Sequence, residues 1–174
     1  MLPTVPWTCR NPDAAALLER WRLLEAVTED AFRLSDVDLS GARLSLCRFP
    51  GARLERVVLR GAVCSLLFLD GAEIRGCDFS GASLQNTVFA AALLEDCRFE
   101  DCEIVQTSFV GAVVRGCSFD HSNLYASRFT AAVFEAVTMR DCNLTRVRFD
   151  PTVSGTVDFH ASNTAEARFE GPAK

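Results

Sequence analysis

From Leu34 to Phe169 every fifth residue belongs to one class, with no insertion or deletion. Of these 28 positions 26 are apolar, eleven of them Phe and ten Leu; only Ser154 and Thr164 break the set. Two residues before each lies a second register, from Phe32 to Ala167, filled mainly by Ala, Cys, Val, Ser and Thr. None of these 56 positions is charged, although 24% of the chain is, a coincidence with a chance probability on the order of 10⁻⁷. An α-helix cannot use this period, because five residues advance about 140° and the apolar sites would spiral round its cylinder. A straight strand fails too, since an odd repeat sends successive sites to opposite faces. The pattern is satisfied by a chain that points two side chains of every five inward and then turns a corner. Right-angle corners close a coil after four repeats, about 20 residues, and stacked coils pair their backbones as in a β-solenoid.

A ten-residue superperiod adds detail. Large sites ending in 9 are mostly Phe, and those ending in 4 are mostly Leu, Ile or Val. Two opposed walls should therefore carry Phe ladders, Phe79, Phe99, Phe119 and Phe159 on one and Phe89, Phe109, Phe129, Phe149 and Phe169 on the other. Small residues in the second register fit a narrow axis on which four walls converge. A Leu at Ala72 or Ala112 should overpack it.

The segments Gly41-Ala42-Arg43-Leu44-Ser45, Gly81-Ala82-Ser83-Leu84-Gln85, Cys142-Asn143-Leu144 and Cys77-Asp78-Phe79 resemble the pentapeptide-repeat family, whose consensus is roughly Ala-(Asp/Asn)-Leu-X-X. The resemblance spans about four-fifths of the chain. It implies an all-β fold, a right-handed quadrilateral β-helix of about seven four-sided coils. The expected organisation is an N-terminal extended segment and capping α-helix over 1–31, the β-helix over 32–170 and a short tail over 171–174. Asn11, Pro12 and Asp13 read as N-cap, first turn and acidic first-turn residue of a helix from Ala14 to about Glu29. Its Leu17, Leu18, Trp21 and Leu24 would seal the first coil. The last coil is less regular, with Pro151 and Gly155 interrupting it and Ser154 and Thr164 at large inward sites. Nothing comparable caps that end, so a homodimer through the C-terminal coil is expected.

The uninterrupted repeat predicts a single domain. There is no apolar run of transmembrane length and no leader pattern, so a soluble, cytoplasmic and bacterial protein is the expectation. A net charge of −5 and a pI near 5.1 argue against direct nucleic-acid binding. Of eight cysteines, Cys47, Cys77, Cys97, Cys102, Cys117 and Cys142 sit in the small register and Cys64 in the large one. They read as buried free thiols, without a metal or redox role. Cys77, Cys97 and Cys117 should stack in one column, and Cys9 should be exposed. His121 and His160 read as solvated side chains, the glycines recur at corners, and no catalytic residue, metal or cofactor is predicted.

Function must then lie outside the shaft. Glu55, Arg75, Glu95, Arg115 and Glu135 should form a ladder of weak ion pairs, and Asn123, Asn143 and Asn163 an amide ladder. The Arg128, Arg148, Arg168 column should repel itself unless Asp150 and Glu170 relieve it. Two contact surfaces are expected. One is acidic: Asp78, Glu100, Asp101, Glu103, Asp120 and Asp141 around one corner. The other is apolar: Val88, Leu93, Val110, Val113, Val133 and Val153 in two adjacent columns. The expected function is that of a non-enzymatic, rigid protein–protein interaction scaffold with an unknown protein partner and no membrane contact. The alternative comes from the resemblance: quinolone-resistance members of the family mimic B-DNA in the DNA saddle of gyrase. The acidic middle of this chain suggests the same role, with DNA gyrase or topoisomerase IV as partner and protection against quinolone-type inhibitors as outcome.

Overall fold

At Asp36 and then at every fifth residue as far as Arg146, φ is positive, between +51° and +71°. Each of these residues is a corner. In this computed structural model, which describes residues 8–9, 27–28, 31–150 and 157–169, glycine fills eight of the left-handed corners and sixteen are held by other residues. Those sixteen are Asp, Asn, Gln, Ala, Leu, Arg and His. No β-branched residue stands at a described left-handed corner, as the crowding of Cβ against the following carbonyl requires.

Between corners the chain is extended, and each residue pairs with the one 20 positions later. On the first wall, strands Ala31–Ser35, Arg53–Glu55, Glu73–Arg75, Leu93–Glu95, Val113–Arg115 and Val133–Glu135 run parallel in that constant register. The second wall is a succession of parallel bridges from Asp38 through Val58, Asp78, Arg98 and Ser118 to Thr138, continued at Asp158. The third runs from Arg43 to Asn143, and the fourth from Arg48 through Phe68, Val88 and Ser108 to Arg128, Arg148 and Arg168. Four walls and about seven turns make the β-solenoid that the period predicts, the right-handed quadrilateral β-helix that the family resemblance implies.

Inside, the Phe ladders form as expected. Phe79, Phe99 and Phe119 stack with ring centroids 4.8 and 4.9 Å apart. On the opposite wall Phe89, Phe109, Phe129, Phe149 and Phe169 stack at 4.6 to 5.3 Å. The two ladders meet edge-to-face at the centre, for example Phe89 on Phe99 at 5.9 Å and 83°, the geometry that ring quadrupoles favour. Met139 takes the next rung of the first ladder, and Phe159 beyond it is only partly buried. Near the first coils the core leaves an apolar void of about 20 Å³.

The small register has a function beyond size. At several corners the inward Ser or Cys spans two rungs. Buried Ser122 donates its hydroxyl to the Phe99 carbonyl (2.6 Å) and accepts from the Cys102 N–H (2.8 Å). Ser127 does the same with the Ile104 carbonyl and the Thr107 N–H, at 2.6 and 3.0 Å. Cys102 and Cys142 donate their thiols to the Phe79 and Phe119 carbonyls, at 3.0 and 3.1 Å. These thiols therefore give a second hydrogen bond to buried carbonyls that already accept the Ala82 and Ser122 N–H.

The two ends differ from the sequence reading. The predicted helix lies outside the described residues except for its last turn, and there Val27–Thr28 is a strand, antiparallel to Ala31–Phe32. A second short strand, Thr8–Cys9, pairs antiparallel with Cys47–Arg48. Both cover the open edge of the first coil, which is where a solenoid needs protection. Cys47 is disulfide-bonded and is not the free thiol predicted. The backbone of Cys9 stands directly opposite it. Cys64, Cys77, Cys97, Cys102, Cys117 and Cys142 are free and buried. At the other end, Thr164–Glu166 tightens into a 3₁₀ turn, and Phe169 is 36% exposed on the last described rung.

Candidate functional site

The acidic corner joins the second and third walls. Asp101 and Asp141 are themselves left-handed corner residues, with His121 between them in the same column. The Asp101 N–H donates to the Asp120 carbonyl one rung up, and the His121 N–H to that of Arg140. Glu100, Asp101, Glu103, Asp120 and Asp141 thus share one edge of the shaft. Glu100 and Asp101 have no ion pair or side-chain hydrogen bond to another described residue. The others are engaged. Glu103 accepts from the Asn123 amide at 2.9 Å, Asp120 from the Arg140 N–H at 2.9 Å, and Asp141 lies 3.8 Å from His121 Nδ1.

Asp78 does not belong to this surface. Its side chain is only 13% exposed and makes a 2.7 Å ion pair with Arg60. It also accepts hydrogen bonds from the Ser80 N–H and hydroxyl, at 3.0 and 2.6 Å. Burial alone would raise its pKa; the Ser80 hydrogen bonds and the Arg60 guanidinium outweigh it and hold the carboxyl below the ordinary Asp range. Asp78 is a structural carboxylate. Arg140 is likewise drawn away, to Asp158 at 2.7 Å.

The apolar surface wraps the corner between the fourth and first walls. Leu93, Val113 and Val133 stand in direct parallel register on three successive rungs. Val133 is 57% exposed, whereas Leu93, Val113, Val88 and Val110 are half-buried. Val153 lies outside the described residues. The sequence reading missed another exposed pair: Leu46 and Leu66, corner residues on adjacent rungs, 48% and 42% exposed. Nearby, the Arg48 guanidinium covers the ring of outward Phe68 at 4.7 Å. The signal was the corner position, since a residue there points out whatever its polarity.

Both ladders form. Arg75 pairs with Glu95 at 2.7 Å, and Arg115 with Glu95 at 3.5 Å and Glu135 at 3.1 Å, while Glu55 turns to Arg56 at 3.5 Å. Hydrogen bonding to Arg75, helped by Arg115, holds the Glu95 carboxyl low. The Asn163 amide donates to Asn143 and Asn143 to Asn123, at 3.4 and 2.9 Å. No described group of three or more His, Cys, Asp or Glu could hold a metal ion.

The sequence matches two family models, one described as a pentapeptide repeat region over residues 72–149 and one as pentapeptide repeats over 33–63. Together they take in more than half of the chain. Among curated proteins none matches this sequence. Solved structures similar to it include a pentapeptide repeat protein of the Arabidopsis thaliana thylakoid lumen, 20% identical, with 64% of this chain and 67% of that one covered and a TM-score of 0.39. Another is a trypsin-treated form of QnrB1, a plasmid-mediated fluoroquinolone resistance protein, at 21% identity, coverage of 74% and 80%, and TM-score 0.41. A third is HetL, involved in heterocyst differentiation regulation in the cyanobacterium Nostoc sp. strain PCC 7120, at 16%, 78% and 84%, and 0.36.

Proposed function

Because the chain belongs to the pentapeptide-repeat family, we propose that it is a non-enzymatic, rigid protein–protein interaction scaffold of the cytoplasm, binding through its outer faces. The observation that carries this reading is the filled shaft: among the described residues the inward side chains fill the axis, and the void near the first coils holds about 20 Å³, too small for a substrate. Recognition is therefore left to fixed columns of outward side chains. The apolar column Leu93, Val113, Val133 and the unpaired carboxylates Glu100 and Asp101 are the two faces that fit a partner. Val133→Asp and the pair Glu100→Lys, Asp101→Lys test them separately. Each should abolish retention of the same partner by immobilised protein if its face is used, and a partner held equally by both variants would refute the reading.

A second reading is favoured by the unpaired pair Glu100 and Asp101 on the acidic edge: mimicry of DNA on gyrase or topoisomerase IV. Supercoiling by gyrase, with and without a quinolone, tests it. Inhibition or protection at micromolar protein is expected, weakened by the Glu100→Lys, Asp101→Lys variant and more so at low salt than at high. Neither effect at micromolar concentration would remove this reading. The partly exposed Phe169 on the last described rung supports the homodimer through the C-terminal coil. Light scattering of the full chain should give twice the monomer mass, and a strict monomer at tens of micromolar would contradict it.

A further inference from the structure

On the fourth wall the last three described rungs carry Arg128, Arg148 and Arg168 in direct parallel register. Like charges directly opposite on neighbouring strands destabilise a sheet, and the sequence offers Asp150 and Glu170 as relief. The structure does not use Asp150 in this way: its carboxylate accepts the Ala131 N–H at 2.6 Å. Glu170 lies outside the described residues. Glu166, the other nearby acid, accepts the Thr145 hydroxyl at 2.6 Å. A fourth arginine, Arg146, comes from the adjacent left-handed corner and lies over the Tyr125 ring, 5.7 Å from its centroid. The four guanidinium-bearing side chains and Ala126 line a surface hollow of about 400 Å³. Small Ala126, in the corner column one rung before Arg146, leaves that space open. Arg128, Arg146 and Arg148 make no ion pair with any described carboxylate. Elsewhere Arg56, Arg60, Arg75, Arg115 and Arg140 are all paired.

We propose that this hollow is a binding site for a short polyphosphate chain, two or three linked phosphoryl groups, free or carried by a nucleotide. Guanidinium groups match phosphate oxygens two at a time, and Arg128, Arg146 and Arg148, which make no ion pair with a described carboxylate, converge on one hollow to neutralise a multiply charged chain. The volume is that of a small-molecule site. The extent of the charge selects the ligand. Preceding rungs of this column are Ser108, Val88 and Phe68, so the basic track covers only three rungs, roughly 10 Å at the ordinary strand spacing. That length suits a di- or triphosphate; it is too short for a duplex, which needs a longer basic surface. Uptake of an anion by the folded chain also raises its stability.

Calorimetric titration of the full chain at low ionic strength with sodium triphosphate, pyrophosphate, orthophosphate and ATP tests the site. Saturable one-to-one binding is expected, in the order triphosphate, pyrophosphate, orthophosphate, together with a rise in Tm on adding triphosphate. Tighter binding of ATP than of triphosphate places the chain on a nucleotide, and equal binding on free polyphosphate; both support the site. The variant Arg128→Gln, Arg148→Gln should weaken triphosphate binding about tenfold or more, abolish the Tm response and leave the far-UV spectrum unchanged. Arg148→Lys, which keeps the charge and loses the fork, should fall between. Arg98→Gln removes one charge from another wall and should change nothing. Absent or non-saturable binding, equal loss in Arg98→Gln, or preference for a single-stranded oligonucleotide over triphosphate would each overturn the proposal.

Discussion

Ser122 shows how much depends on one buried hydroxyl. It satisfies a carbonyl 23 residues behind it and an amide 20 residues behind it, so Ser122→Ala leaves two buried backbone groups without partners. The expected loss is about 2 kcal/mol, read as a lower urea midpoint at unchanged m. Ser122→Cys should recover part of it, since Cys102 and Cys142 make equivalent thiol bonds in the same register. The thiols themselves are inert by burial, which pushes both Cys64 and Cys102 up to about 12 and Cys142 to about 11. The thiolate is the nucleophile, so iodoacetamide at neutral pH should label these three only after global unfolding. Rapid labelling of the native chain would contradict the buried placement. Sequence alone gave these residues their inward register and small size. Their hydrogen bonds were illegible because the partners become neighbours only when the coil closes.

Among the elements, the corner is the demanding one. Ala91 is exposed at φ +54°, where a β-branched side chain meets its own backbone. Ala91→Val should cost about 1–3 kcal/mol although the residue is exposed, and a neutral substitution would refute the strained-corner account. The Asp78 link is a second element-level test. Its folded pKa lies below the ordinary value of 3.8. Its contribution is therefore fully present above that value and is lost as pH falls through the folded one. Acid unfolding monitored by circular dichroism should show a shallower stability loss in Asp78→Asn than in the parent. The walls were legible because any residue placed five apart must share the interior. Asp78 was not, because an outward carboxylate looks solvent-exposed until Arg60 and Ser80 are seen to enclose it. At the N-terminus, the helical spacing of Leu17, Leu18, Trp21 and Leu24 hid the strand character of Val27–Thr28, whose β-branched side chains suit a pleated edge.

For the whole molecule, one constraint follows from the ion-pair ladder on the first wall. Its signs alternate from one rung to the next: Arg75, Glu95, Arg115, Glu135. The ladder therefore gives the shaft a parity. Excising a single turn would rejoin every hydrophobic column yet bring two acids or two guanidiniums face to face. Excising two turns would restore alternation and shorten the shaft by about 10 Å. Excising a lone pentapeptide would instead rotate everything beyond the junction by a quarter turn, moving the acidic edge off its wall while the interior stayed filled. Length in this protein is thus quantised twice, by the coil for the core and by pairs of coils for the charge.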